Sequence, residues 1–396
     1  MPHVVSPPFT FSRGPLPCKV MFVSDCFGET EHKQRRLMTG SSGHELARML
    51  IETGILSTPL PKKHEINKLG EIVEQKLSPE ELDLWWNKQQ IFFTSVLPFH
   101  PPGNKAINLC GDKKEVGGKF YTRPALELGK YLYPEYLPEL DRLAEEIKSV
   151  KPNLVIALGN MACWALLNRT SITSIRGTTT ECLLVPGVKV LPTFHPSMVL
   201  RQWSNRPIML ADLLKAKREM EFPEIRRPER EILVNPSLDD IDHYIKHCEA
   251  TWDNRSSDDD LIMAIDIETK GKQITMISFS IDKQFALVIP FYDESLPGGN
   301  YWEHAFQEVK AFKYVNILLS LPFPKLFQNG MYDLQYLFRY GFRPVNCLHD
   351  TMLLHHAILP EMQKGLGFLG SIYTNEASWK LLRRVRAKEL SNKAGE

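Results

Sequence analysis

Between residues 17 and 222, short apolar runs alternate with amphipathic stretches, and this rhythm restricts the fold more than any other feature of the chain. "CKVMFVSD", "QQIFFTSVLPF" and "NLVIALG" read as strands. "GHELARMLIETGI", "LPELDRLAEEIKSV" and "NMACWALLN" read as helices, and "KREM" closes a last one. Strand and helix in alternation predict a largely parallel sheet with helices on both faces, a three-layer α/β/α arrangement. The Pro- and charge-rich passage "EFPEIRRPERE" then reads as a linker. It leads into one helix, "SLDDIDHYIKHCE", with Ser237 as its cap, and into the polar loop "NRSSDDD".

The second half has another rhythm. "LIMAIDIE", "ITMISFSI" and "FALVIPF" follow each other closely, so they are expected to pair antiparallel. A helix, the strand "KLFQ", the helix "MYDLQYLFRYG", a short strand near "NCLHD" and the helix "TMLLHHAIL" come next. Three strands first and alternation afterwards suit a mixed sheet of the ribonuclease-H type. The expected division is an extension over 1–16, a first domain over 17–222, a linker and lead-in helix over 223–260, and a second domain over 261–396.

Composition excludes several classes. With 43% hydrophobic and 24% charged residues, the 396-residue chain reads as a soluble protein long enough for two domains. The start "MPHVVSPPFTFSRG" lacks the charged end and apolar core of a signal peptide, and no apolar run approaches membrane-spanning length. Seven cysteines without a CxxC pair suit reduced thiols and a cytoplasmic location. A net charge of +1 means that any surface for a polyanion must be local.

In "LIMAIDIETKG", Asp266 and Glu268 are one residue apart on a strand, so both point to the same face. Two like charges there repel each other and lose hydration, which favours a divalent cation between them. "FQNGMYDLQYLF" adds Asp333, early in a helix that follows a strand. "DIET" and "NGMYDLQYL" resemble the first two motifs of proofreading 3′–5′ exonucleases. The similarity extends through "HDTMLLHHAILPEMQKGLGFLGSIYTNEASWK" to phage family-A DNA polymerases. The resemblance implies two-metal hydrolysis with Mg²⁺ or Mn²⁺ held by Asp266, Glu268 and Asp333, and nucleic-acid contact at Asn329. Read without it, Asp266 and Glu268 are a strand-end acid pair and Asp333 is a helix N-terminal charge. Asp350 reads as an N-cap. The pattern lacks its fourth carboxylate: after "SIYTNEASWK" no Tyr-xxx-Asp or His-xxxx-Asp helix follows. The basic run "KLLRRVRAKELSNK" suits either phosphate contact or a solvated helix.

Three fragments of the first half resemble the uracil-DNA glycosylase superfamily. They are "VSDCFGETEHKQRRLMTGSSGHELARMLIETGI", "IFFTSVLPFHPPGNK" and "VLPTFHPSMVLR". The resemblance implies base extrusion, stacking, recognition of the base edge and stabilisation of the departing base anion. It assigns water orientation to Asp25, donation to the base carbonyl to His195, and a phosphate or minor-groove contact to Ser197. Ser95 stands where an asparagine reads the uracil edge, and Met38 stands where an aromatic ring stacks. Phe99 replaces a cysteine of the iron–sulfur branch, so no iron–sulfur cluster is expected. Joined to an exonuclease-like half, such a domain resembles the front of certain phage DNA polymerases. That implies DNA as substrate and a separate chain carrying the last exonuclease motif and the polymerase domain. Three functions stay open: a metal-dependent 3′–5′ exonuclease in replication or repair, an active uracil-type glycosylase with an inert nuclease fold, and a non-catalytic DNA-binding module.

Overall fold

A computed structural model describes Phe9 and residues 11–66, 72–117, 123–257 and 259–376. These divide into two compact units, one reaching to Arg226 and taking in the segment from Gly367 onward, the other spanning Arg227–Leu366. Among the described residues no helix is long and apolar enough to cross a membrane.

The first unit is built on a five-stranded sheet of β1 (Val20–Cys26), β2 (Phe92–Leu97), β3 (Leu154–Leu158), β4 (Thr180–Glu181) and β5 (Lys189–Thr193). Its order is β2-β1-β3-β5-β4. All neighbours run parallel except β4, which pairs antiparallel with β5. Every residue of β2, β3 and β5 is buried, the mark of a parallel sheet covered on both faces. The apolar runs seen in the sequence have this cause. β1 lies between β2 and β3, so the chain leaves it towards opposite sides. The crevice beyond the carboxyl ends of β1 and β3 is thus a topological switch point, where α/β sheets bind ligands.

Charge is also buried in this unit. Arg142, on the helix Pro138–Val150, pairs with Glu139 and Glu146 and donates to the Ser95 and Val96 carbonyls of β2. Arg176 forks onto Asp212, which also accepts from Thr193 at the end of β5. Lys215 donates to the carbonyls of Gly177, Ser371 and Thr374, and Arg176 donates to Ser371 Oγ at 2.9 Å. Segment 367–376 therefore packs with the first unit, although it follows the second in sequence. Its carbonyls accept from a buried cation, whose unmet donors would otherwise be costly.

The second unit holds a six-stranded mixed sheet: β6 (Glu231–Leu233), β7 (Met263–Lys270), β8 (Gln273–Ser280), β9 (Phe285–Pro290), β10 (Lys325–Phe327) and β11 (Cys347–Asp350). The order is β6-β9-β8-β7-β10-β11. β7, β8 and β9 pair antiparallel, while β10 and β11 continue parallel from β7. Ser237 and Asp240 close a capping box on the helix Leu238–Asp253.

Candidate active site

A cavity of about 620 Å³ opens beyond the carboxyl ends of β1, β3 and β5, within the usual range for ligand pockets. Asp25 enters it from the end of β1, Gly159 and Asn160 follow β3, and His195 and Ser197 follow β5. Met38, Phe27, Lys105, Glu127 and Arg201 also line it. The sheet thus gathers residues that lie up to 177 positions apart in the chain, from Ser24 to Arg201.

Asp25 is held against the start of the helix Asn160–Leu167, where the Ala162 amide donates to Oδ1 at 3.0 Å. Gly159 makes this possible. Its φ is +95°, and a Cβ there would stand 2.7 Å from Asp25 Oδ2. Only part of the Asp25 side chain reaches solvent, through the cavity; the rest is enclosed. Burial pushes its carboxyl up to about 7 despite the donating amides of Ala162 and Met161, with Glu127 adding to the rise.

His195 caps the helix Pro196–Arg201. The Ser197 amide donates to Nδ1 at 3.2 Å, and the Ser197 hydroxyl lies 2.8 Å from the same nitrogen. Nδ1 is therefore the acceptor, and the proton of the neutral ring belongs on Nε2. Burial, and then the charge of Arg201, lower the imidazole to about 4. At neutral pH the cavity consequently holds an uncharged imidazole with one N–H to donate, alongside a carboxyl close to its titration point.

Met38 lines the cavity as a nearly buried apolar side chain in left-handed backbone, φ +59°. Trp86 Nε1 donates to its carbonyl at 3.0 Å, and Arg13 donates to the carbonyl of Leu37. Ser95 is not brought to the cavity. It is buried on β2, opposite Ser24 of β1, and among the described residues the hydroxyl of neither has a hydrogen-bond partner. Ser24 itself lines the cavity. Phe27, Gly159, Lys105 and Arg201 were missed from sequence. For Phe27 the one available signal was its place two residues after Asp25, and it supplies an aromatic ring to the lining.

In the second unit, β7 alternates as expected, with Ile265 and Ile267 buried and Asp266 and Glu268 exposed on one face. Burial, and then the charge of Glu268, raise the Asp266 carboxyl. Asp333 is nearly buried and accepts the Ile267 amide at 3.1 Å. Burial first, with Asp266 contributing, pushes it up to about 6. The bond from the Ile267 amide engages one of its two carboxylate oxygens, Oδ1. Among the described residues no three His, Cys, Asp or Glu side chains gather closely enough to hold a metal ion. Asn329 is exposed, in left-handed backbone before the helix Gly330–Arg339, and its amide donates to Asp350. Asp350 also accepts from Gly330, Met352 and Leu353, so it ties two helix starts together.

The seven cysteines are spread over both units, and Cys26 lines the cavity. Cys18, Cys110 and Cys182 donate to backbone carbonyls, Cys163 is packed in the first core, and Cys248 and Cys347 belong to the second unit.

Fold and cavity together define a doubly wound α/β protein with a pocket of mixed polar and apolar lining at its switch point. The chain belongs to the uracil DNA glycosylase superfamily, whose family model matches residues 11–220. It is 26% identical over 209 residues to a Type-4 uracil-DNA glycosylase of Thermotoga maritima, covering 52% of this chain and 79% of that protein. It is 22% identical over 252 residues to a Type-4 uracil-DNA glycosylase of Sulfurisphaera tokodaii, covering 61% and 82%. A DNA polymerase of Bacillus phage SP01 is 22% identical over 202 residues, which are 51% of this chain and 16% of the polymerase.

Proposed function

We propose that the first unit is a DNA glycosylase that releases uracil or a closely related base from DNA. One observation carries this reading: His195, neutral and with Nδ1 engaged by Ser197, keeps an Nε2–H for the cavity that Asp25 shares. The base swings out of the helix into the cavity, where Phe27 and Met38 give it apolar walls. As the bond between C1′ and the base nitrogen breaks, its electron pair goes to the base, and negative charge gathers on the ring carbonyl oxygen. A preorganised N–H donor in a water-poor site stabilises that charge more than it stabilises the ground state. Water adds its oxygen to C1′ and gives up a proton to Asp25, which returns it to the departing base. The products are an abasic sugar and the free base. Lys105, Arg201 and Ser197 supply cations and a hydroxyl for the neighbouring phosphates.

The test is release of free uracil from oligonucleotides carrying one deoxyuridine, with alkaline cleavage marking the abasic site. Wild type is expected to cleave, and His195→Ala to lose roughly 10²–10³-fold in rate. Intact oligonucleotide after prolonged incubation with wild type would sink the reading.

A second reading is favoured by Asp266 and Glu268 on one exposed strand face. It is a metal-dependent 3′–5′ exonuclease in a split DNA polymerase, with the remaining exonuclease motif and the polymerase domain on a separate chain. The expected support is nucleotide release from 3′-labelled single-stranded DNA with Mg²⁺ or Mn²⁺ that Asp266→Ala removes. Release that persists unchanged in Asp266→Ala, or none even when a candidate partner chain is added, counts against it.

A further inference from the structure

We propose that segment 367–376 is a positioning strap for His195, setting where the imidazole stands in the cavity through Arg176 and Asp212; the proposal rests on the excision reading above. The family match ends at residue 220, and the chain reaches this segment only after the whole of the second unit, yet the segment packs in the first. What it meets there is buried charge. Lys215 has three N–H donors; two go to the Ser371 and Thr374 carbonyls and the third to Gly177. Arg176 gives two donors to Asp212 and its Nη1 to the Ser371 hydroxyl at 2.9 Å. Its guanidinium also lies 5.7 Å from the Phe194 ring and 5.9 Å from the Phe368 ring of the segment. Thr178 donates to the Glu376 carbonyl at 2.9 Å. Gly177, at φ +74°, permits the approach: a Cβ there would stand 2.8 Å from the Ser371 carbonyl oxygen and 2.5 Å from Asp212 Oδ1.

The Arg176–Asp212 pair stands directly behind three elements of the cavity. Asp212 Oδ2 accepts both Arg176 Nε and the Thr193 hydroxyl, two residues before His195, and the Phe194 ring between them lies against Arg176. The Thr193 carbonyl accepts the Gly159 amide at 3.0 Å, and Gly159 is the residue that leaves room for Asp25. Arg176 itself follows the short helix Ile172–Ile175, whose first residue lines the cavity. Without the segment, Lys215 keeps one acceptor of three, and Arg176 loses an acceptor and a ring. Buried donors do not stay unmet. Both cations then turn towards the acceptors that remain, Asp212 above all, and Arg176 and Thr193 already share one oxygen of it. A shift at Thr193 is carried along the backbone to the imidazole. Displacements on the order of 1 Å in a reacting group can cost up to about 10²-fold in rate.

The experiment uses the full chain and four variants: Ser371→Ala, Phe368→Ala, Ser371→Thr and, as control, Phe338→Ala, whose ring is exposed on the second unit. Uracil release is measured well below the lowest melting midpoint, so that every variant is folded. Ser371→Ala and Phe368→Ala are expected to lower kcat about tenfold and to leave KM within about twofold, because the strap supports a transition-state donor and does not bind DNA. Ser371→Thr keeps the hydroxyl and is expected to stay within about twofold of wild type. Nitrogen NMR of the His195 ring gives the direct reading. Its signals are expected to move in Ser371→Ala and Phe368→Ala, and to hold in Ser371→Thr and Phe338→Ala. Unchanged kcat in the first two variants overturns the proposal, as does a change in KM alone, an equal loss in Phe338→Ala, or a lower kcat with unmoved ring signals. If wild type releases no uracil, the excision reading fails. The strap is then decided by the ring signals: movement in Ser371→Ala and Phe368→Ala that Ser371→Thr lacks supports it, and identical signals refute it.

Discussion

Asp25→Asn will make the protein slower and sturdier at once. Uracil release is expected to fall by roughly 10²–10⁴-fold, the range for removing a positioned acid–base group. Only ionised Asp25 accepts the water proton, so wild-type kcat/KM should rise with pH through about 7 and level off above it. His195 adds no limb in that range, because its charged and neutral forms come into balance only near pH 4. Stability runs the other way. The folded carboxyl holds its proton up to about 7, while the unfolded one gives it up near 3.8. The stabilisation from protonated Asp25 is full below about pH 4 and is lost as pH rises through 7. His195 offsets part of this, since its lowered value makes the folded state gain stability from pH 4 up to its ordinary 6.5. Asparagine removes the buried charge. The variant should therefore exceed wild type at pH 8 by about 1–3 kcal/mol, a range discounted because the cavity admits some solvent. Denaturant titrations at pH 5 and pH 8 provide the check. Equal stability of the two proteins at pH 8 would show that Asp25 is not held against its charge.

The second large effect is expected at a residue that touches no substrate. Asp212 is fully buried and faces Arg176, while Lys215 is buried beside it. Asp212→Ala leaves buried cations without their carboxylate, and such losses cost about 3–5 kcal/mol. The damage should reach two places. Thr193, just before the His195 loop, loses its acceptor, and Arg176, whose guanidinium lies 5.7 Å from the Phe194 ring, loses its anchor. Segment 367–376 should also loosen, since Arg176 and Lys215 hold it. The expected readings are a lower urea midpoint and earlier proteolytic cutting within 367–376. A loss below about 1 kcal/mol would mean that the ion pair repays little more than its own desolvation, as buried pairs sometimes do.

Much of this protein was legible in local pattern. The runs from "CKVMFVSD" to "NLVIALG" are apolar throughout because both faces of a parallel sheet are covered, and covered strands cannot alternate. In "MAIDIETK" the alternation is visible because β7 has one exposed face. The capping box at Ser237 and the N-cap at Asp350 depend on residues within three positions, so sequence suffices for them. The glycosylase-like fragments also named Asp25, His195, Ser197 and Met38, which the cavity brings together.

What the sequence determined by itself is the kind of layers and the residue types at their strand ends, because periodicity and capping are set by near neighbours. The tertiary structure alone decided which of those residues meet. Ser95 lies beside Ser24 yet outside the cavity lining, whereas Phe27 is in it. Asp333 turns onto the Ile267 amide, and segment 367–376 joins the first unit to satisfy Lys215. Each of these is a contest over desolvation: a polar group taken from water binds whichever partner the packed chain offers, and that partner can lie more than a hundred residues away.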